Sequence, residues 1–103
     1  MIAPEIKKMY NILVAFLGDS KGDLDGTLQL QFSCPRCQER EGSQEKNKYH
    51  LEVNLAKGFY NCWKCSSIDD SMHGSVYKLI RKYGNSSLLK DYKEAVYAFR
   101  ESS

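Results

Sequence analysis

With 103 residues, 42% of them hydrophobic and 27% charged, and a formal net charge of +2, the chain has the composition of one small globular domain. The longest apolar run, Ile12 to Leu17, falls far short of the ~20 residues a membrane-spanning helix needs. So small a net charge does not by itself announce a nucleic-acid partner, although residues 33–65 carry six basic against four acidic groups and form the most basic third.

Pro4 suits the first turn of a helix, where its missing N–H costs nothing. Ile6, Met9, Tyr10, Leu13, Phe16 and Leu17 recur at helical spacing, and Gly18 is a natural stop, so the pattern predicts a helix over about 4–17. Lys7 and Lys8 before the run Met9–Leu17 faintly imitate a signal peptide. Glu5 and the lack of a small-x-small cleavage site after Leu17 favour the amphipathic helix. Asp19–Gly26 reads as a Gly/Asp-rich turn. Its Asp-x-Asp-Gly ending resembles a calcium loop, but Lys21 would be the first ligand and Phe32 would replace the closing Glu, so calcium is rejected.

Leu28, Leu30 and Phe32 alternate with polar neighbours from Thr27 to Ser33, the pattern of a half-buried strand. Gln38–Lys48 is polar and reads as a loop. Tyr49, Leu51, Val53 and Leu55 then alternate with His50, Glu52 and Asn54. Lys57-Gly58 turns the chain, and Phe59-Tyr60-Asn61 returns as a strand; Tyr49 and Phe59 are expected to cover the small core. Ser66–Gly74 reads as a loop with an acidic tip at Asp69 and Asp70. Ser75 is an N-cap candidate for a helix carrying Val76, Tyr77, Leu79, Ile80 and Tyr83, which Gly84-Asn85 ends. After Leu88 and Leu89 a last helix carries Tyr92, Ala95, Val96 and Phe99.

All four cysteines sit in two C-x-x-C knuckles, Cys34-Pro35-Arg36-Cys37 and Cys62-Trp63-Lys64-Cys65, separated by the 24 residues 38–61. Four thiolates complete a structural zinc site, and the interval holds one hairpin, so the expected fold is a small α+β zinc ribbon: an antiparallel sheet flanked by N- and C-terminal helices. The expected segments of this single domain are a helix in 1–18, the ribbon in 27–65 and helices in 75–101. Two disulfides or a redox dithiol are the alternatives, though neither knuckle opens a helix beside a βαβ pattern. A four-thiolate zinc has no open coordination position, so it stabilises rather than hydrolyses, and its binding is folding free energy on the order of 10 kcal/mol. Arg36 and Lys64, inside the knuckles, can offset its negative charge. His50 and His73 are available as replacement ligands, but four cysteines already fill the site. Paired cysteines without an export signal point to a reducing, cytoplasmic compartment.

Around the knuckles lie Lys46, Lys48, His50, Lys57, Tyr60, Trp63 and Lys64, a mixture of cations and flat rings of the kind that holds single-stranded nucleic acid. Aromatic side chains covering a ribbon core give the same composition, and a protein-docking module is the competing use. No nucleophile–base pair or carboxylate cluster suggests an active site.

The order Cys34-Pro35-x-Cys37, polar loop, alternating strand 49–55, Lys57-x-Phe59-Tyr60-x-Cys62-x-x-Cys65, then Gly74-Ser75-Val76-Tyr77-Lys78-Leu79-Ile80 resembles the N-terminal zinc-binding domain of bacterial and phage DNA primases. Tyr92-Lys93-Glu94-Ala95-Val96-Tyr97-Ala98-Phe99 is similar to that family's Phe-x-Glu-Ala-Val helix, and the likeness covers roughly residues 28–100. Cys37 stands where many cellular members have His, Ser66-Ser67 where the family often has Gly, and the stretch 66–74 is longer than usual; a phage primase or helicase–primase is the closer likeness. The resemblance implies one zinc on Cys34, Cys37, Cys62 and Cys65. It also implies a role in reading a single-stranded DNA template for primer synthesis, in the cytoplasm of a bacterial or phage-infected cell. The resemblance implies that the 103 residues are a fragment of a longer primase chain, and the implied partners are a separate Mg²⁺-dependent catalytic domain and a replicative helicase. The candidate template contacts, chosen by exposure and chemistry, are Lys48, His50, Tyr60, Trp63 and Lys64, with Arg36. The alternative is a stand-alone ribbon adaptor that docks on a polymerase or transcription complex through the apolar faces of its terminal helices.

Overall fold

The computed structural model describes residues 3–22, 24, 26–42, 49–68 and 72–101. Helix α1 (Pro4–Leu17) begins with Pro4 in its first turn and ends at Gly18, whose N–H bonds the Val14 carbonyl. Its stripe Ile6, Met9, Ile12, Leu13 and Leu17 is buried. Each such side chain withdrawn from water contributes about 1.5–3 kcal/mol before chain entropy is counted.

Five strands follow: β1 (Ser20–Gly22), β2 (Gln29–Phe32), β3 (Leu51–Asn54), β4 (Phe59–Cys62) and β5 (His73–Ser75). They form one antiparallel sheet whose spatial order repeats the chain order. The strand expected over 27–33 is β2. Leu28, just before it, takes the left-handed φ of 61°, and its carbonyl accepts the N–H of Leu55. The β3–β4 turn is built as expected: Asn54 Oδ1 accepts the Lys57 N–H, the Asn54 carbonyl accepts the Gly58 N–H, and Gly58 has φ 75°.

Two strands lie where the sequence suggests loops. β1 occupies part of 19–26; a Cβ at Gly22 would stand 2.3 Å from the Gln29 carbonyl oxygen, so only glycine lets this edge come so close. β5 pairs its Gly74 with Tyr60 of β4. Residues 38–41, expected in a loop, extend the short helix α2 (Pro35–Glu41), and the second knuckle opens helix α3 (Trp63–Ser67). The acidic tip Asp69-Asp70 lies outside the described residues, as does most of the polar stretch before β3.

Helix α4 (Val76–Tyr83) starts on the expected cap, the Ser75 hydroxyl oxygen accepting the Lys78 N–H. Helix α5 (Ser86–Glu101) takes in Leu88 and Leu89, and Asn85 Oδ1 accepts the Leu88 N–H. Helix α5 packs along α1 and against α4. One core joins the helices to the inner sheet face: Leu30, Phe32, Leu51, Val53, Tyr60 and Cys62 meet α1, Val76, Leu79, Ile80, Tyr92 and Ala95. The molecule is thus a small α+β fold with a four-cysteine cluster, consistent with a zinc ribbon. Among the described residues, no helix is long and apolar enough to cross a membrane.

Candidate metal centre and the sheet face beside it

β2 and β4 run in the same direction, each one strand from β3, so the knuckles that follow them arrive at the same end of the sheet. All four cysteines are buried, and their sulfurs lie within 4.8 Å of one another. Cys34 Sγ is 3.9 Å from Cys65 Sγ, and Cys37 Sγ is 3.7 Å from Cys62 Sγ and 3.8 Å from Cys65 Sγ. Metal–sulfur bonds of 2.3 Å in a tetrahedron put the sulfurs about 3.8 Å apart. The four thiols are free, and the donor set fits one thiophilic cation.

The knuckles are built alike. Cys34 caps α2 and accepts the Cys37 N–H at 3.4 Å; Cys62 caps α3 and accepts the Cys65 N–H at 3.4 Å. Arg40, one helical turn beyond Cys37, donates Nη1 to Cys65 Sγ at 3.3 Å and Nη2 to Cys37 Sγ at 3.4 Å. Arg40 therefore answers the sulfur charge, the role anticipated for Arg36 and Lys64. Arg36 instead pairs with Glu39 at 3.0 Å, and Lys64 is half-buried on α3. A cation three residues after the second cysteine was the signal for Arg40, because i and i+3 share a helix face.

Without a cation the thiols compete for charge. Cys62 is drawn down to about 5, chiefly because the Cys34 thiol donates to it and the Cys65 N–H adds to that. Cys34 is pushed well above the ordinary thiol range, first by that same hydrogen bond and then by burial. Cys37 rises to about 12, through burial and the neighbouring Cys62. Cys62 thus favours the anion while Cys34 and Cys37 favour the protonated thiol, a frustration that a dication relieves.

The inner sheet face ends at the cluster, and the outer face carries no buried side chain. Strand pairing lines up Lys21, Gln31, Glu52, Asn61 and His73 as one row across all five strands. A second row sets Gln29, Asn54, Phe59 and Ser75 side by side, with Asn54 donating to Gln29 Oε1 at 2.9 Å. At the knuckle end His50 and Trp63 meet edge-on, centroids 4.7 Å apart, and Trp63 is 52% exposed. Lys21 Nζ lies 4.6 Å over the Tyr49 ring. The Ser66 hydroxyl donates to Asn61 Oδ1 at 2.9 Å, tying α3 to the row.

Of the side chains chosen for template contact, the fold brings His50 and Trp63 together. Tyr60 is corrected: it is 3% exposed and part of the core, so its ring is not offered to a ligand. Two-residue alternation explains this, since Tyr60 shares the inward face of β4 with Cys62. Phe59, expected to cover the core, points outward and is 59% exposed. Lys48 and Lys46 lie outside the described residues. Sequence reasoning missed Lys21, Gln31, Asn61 and His73 as a set, because only strand pairing places them in one row.

No protein-family model, curated protein or solved structure matches this chain.

Proposed function

We propose that the chain is a zinc-ribbon module that reads single-stranded DNA as template for primer synthesis by a primase. The observation that carries this reading is the outer sheet face. Flat rings at Trp63, His50 and Phe59 border rows of amides at Gln29, Gln31, Asn54 and Asn61, with Lys21 and His73 at the two edges. Unpaired bases stack on aromatic faces, and amide side chains donate to and accept from base edges. With Lys21 offset by Glu52 the face carries little net charge, which suits a module that samples sequence more than one that clamps a backbone. Zinc is the ion proposed for the four thiolates, because the sulfur spacing and closed donor set suit a structural site. Its part is to fix the knuckles and so the end of the face where Trp63 and His50 stand. The Mg²⁺-dependent joining of nucleotides belongs to a separate catalytic domain, with a replicative helicase as the further partner.

The adaptor reading needs apolar faces on the terminal helices. The apolar stripe of α1 is buried, as are Tyr92 and Ala95 of α5, which supports the template reading over it. The test is an NMR titration of the zinc-loaded protein with short single-stranded DNA pools, with RNA and duplex controls. Template reading requires shifts along Gln31, Glu52, Asn61, His73 and Trp63 that are largest for single-stranded DNA and weaken with salt. No shift with any nucleic acid on a folded sample would overturn it in favour of the adaptor.

A further inference from the structure

Glu52 stands half-buried at the middle of the polar row, on the central strand β3. Its direct neighbours across the ladder are two amides, Gln31 on β2 and Asn61 on β4. Side chains paired in this way share a face, with their Cβ atoms about 4.5–5.5 Å apart. Lys21 lies one strand beyond Gln31, and its Nζ sits over the Tyr49 ring. Among the described residues Glu52 makes no ion pair and no hydrogen bond. Asn61 gives its Oδ1 to the Ser66 hydroxyl at 2.9 Å, so its N–H groups are what it can offer a ligand. Glutamate is a poor strand former, and a carboxylate repels the phosphates of any strand laid over it. Its use at the centre of such a face lies in what it can accept.

We infer that Glu52 selects guanine: its two carboxylate oxygens accept N1–H and N2–H of the Watson–Crick edge, and the Asn61 amide donates to O6. This rests on the outer face being the surface that meets single-stranded DNA, and it names the base read at its centre. An unpaired base exposes its Watson–Crick edge. Side by side, the amide and the carboxylate present one donor and then two acceptors. Guanine presents the complement, one acceptor and then two adjacent donors. Cytosine, adenine and thymine each offer the carboxylate a single donor on that edge, so one oxygen goes without a partner. Both bonds to Glu52 are charge-assisted, the stronger class of hydrogen bond. Exposed rings for the base to lie against stand two residues to either side of Asn61, at Phe59 and Trp63.

The test is an NMR titration of the zinc-loaded protein with a short oligothymidylate whose central base is thymine, cytosine, adenine, guanine or hypoxanthine. Hypoxanthine keeps O6 and N1–H but lacks the 2-amino group. The guanine strand should bind about tenfold more tightly than the all-thymine host, toward the low end of what one bidentate base contact discriminates, with shifts centred on Glu52 and Asn61. Hypoxanthine should forfeit most of that gain. Glu52→Gln should erase the guanine preference and strengthen binding of the host, since a negative charge leaves the face. A purely structural glutamate would instead weaken every strand alike. Equal affinities for all five strands overturn the inference and leave the template reading standing; no binding of any strand overturns both. A preference for adenine or cytosine, hypoxanthine binding as tightly as guanine, or a guanine preference that survives Glu52→Gln also overturns it. The base series varies only the ligand, so it decides the matter even if the variant fails to fold.

Discussion

At the cysteine end of the molecule, two helices of seven and five residues hold their shape on sulfur caps and one arginine. At the other end, fourteen- and sixteen-residue helices lie against each other on buried Ile, Met, Leu and Tyr. The first arrangement gains almost nothing from apolar burial of its own, because α2 and α3 are too short and too polar to make a stripe. The second needs no ion. A small chain thus splits its stabilisation between a metal and a core, and each half can be attacked separately.

The largest effect should come from removing the ion. Chelation forfeits on the order of 10 kcal/mol of coupled binding and folding free energy. Amide exchange should then accelerate first around residues 33–41 and 62–67, while α1 and α5 keep their protection longest. If both ends lost protection together, the division would be wrong and the sheet would bind them into one cooperative unit. Next comes Leu13→Ala, at a fully buried position of α1, expected to lower stability by about 2–5 kcal/mol in denaturant unfolding of the loaded protein. Metal affinity measured on the still-folded variant should barely change.

Arg40→Gln should act in the opposite sense. It removes two charge-assisted hydrogen bonds to sulfur and should speed metal transfer to a competing chelator by roughly tenfold, about 1.4 kcal/mol, with little change in helix content. An unchanged transfer rate would reduce the arginine to a bystander.

Alkaline pH tests the other half. Burial raises the phenols of Tyr60, Tyr83 and Tyr92, Tyr83 to about 12. The fold therefore prefers them protonated. Their contribution is intact below the unfolded tyrosine value of about 10 and falls as pH rises from there through the folded values. Denaturant midpoints between pH 8 and 11, followed with tyrosinate absorbance, should decline from about pH 10. The smallest effect is Tyr83→Phe. The Tyr83 hydroxyl is buried and finds no hydrogen-bond partner among the described residues, so its removal should be neutral or stabilising by up to about 1 kcal/mol.

What the sequence made legible follows the same division. Helix α1, the Ser75 cap, the Lys57-Gly58 turn and the cysteine set each announce themselves through local chemistry: a periodic stripe, a hydroxyl at a helix start, a turn glycine, paired thiols. The edge strands do not. Ser20-Lys21-Gly22 and His73-Gly74-Ser75 have no alternation and contain glycine; they become strands because a neighbour offers a ladder. Helix α2 was hidden for a related reason, since its order derives from sulfurs that meet only after folding. Tyr60 was misplaced by weighing its chemistry above its parity with Cys62. The polar row of Lys21, Gln31, Glu52, Asn61 and His73 spans five strands and is invisible until all four pairings are known.

The sheet is a meander, with spatial order following chain order, and this has a consequence during synthesis. Contacts in such a sheet are short in sequence, which favours rapid assembly. Both knuckles and the four strands between and before them are complete once Cys65 has been made, while α5, the partner of α1, is still to come. A chain growing from its N-terminus can therefore capture its ion and hold its central hairpin early, giving α1 a surface on which to wait. The ion then serves as a placeholder in time: it stabilises a half-built molecule until the last helix arrives to close the core.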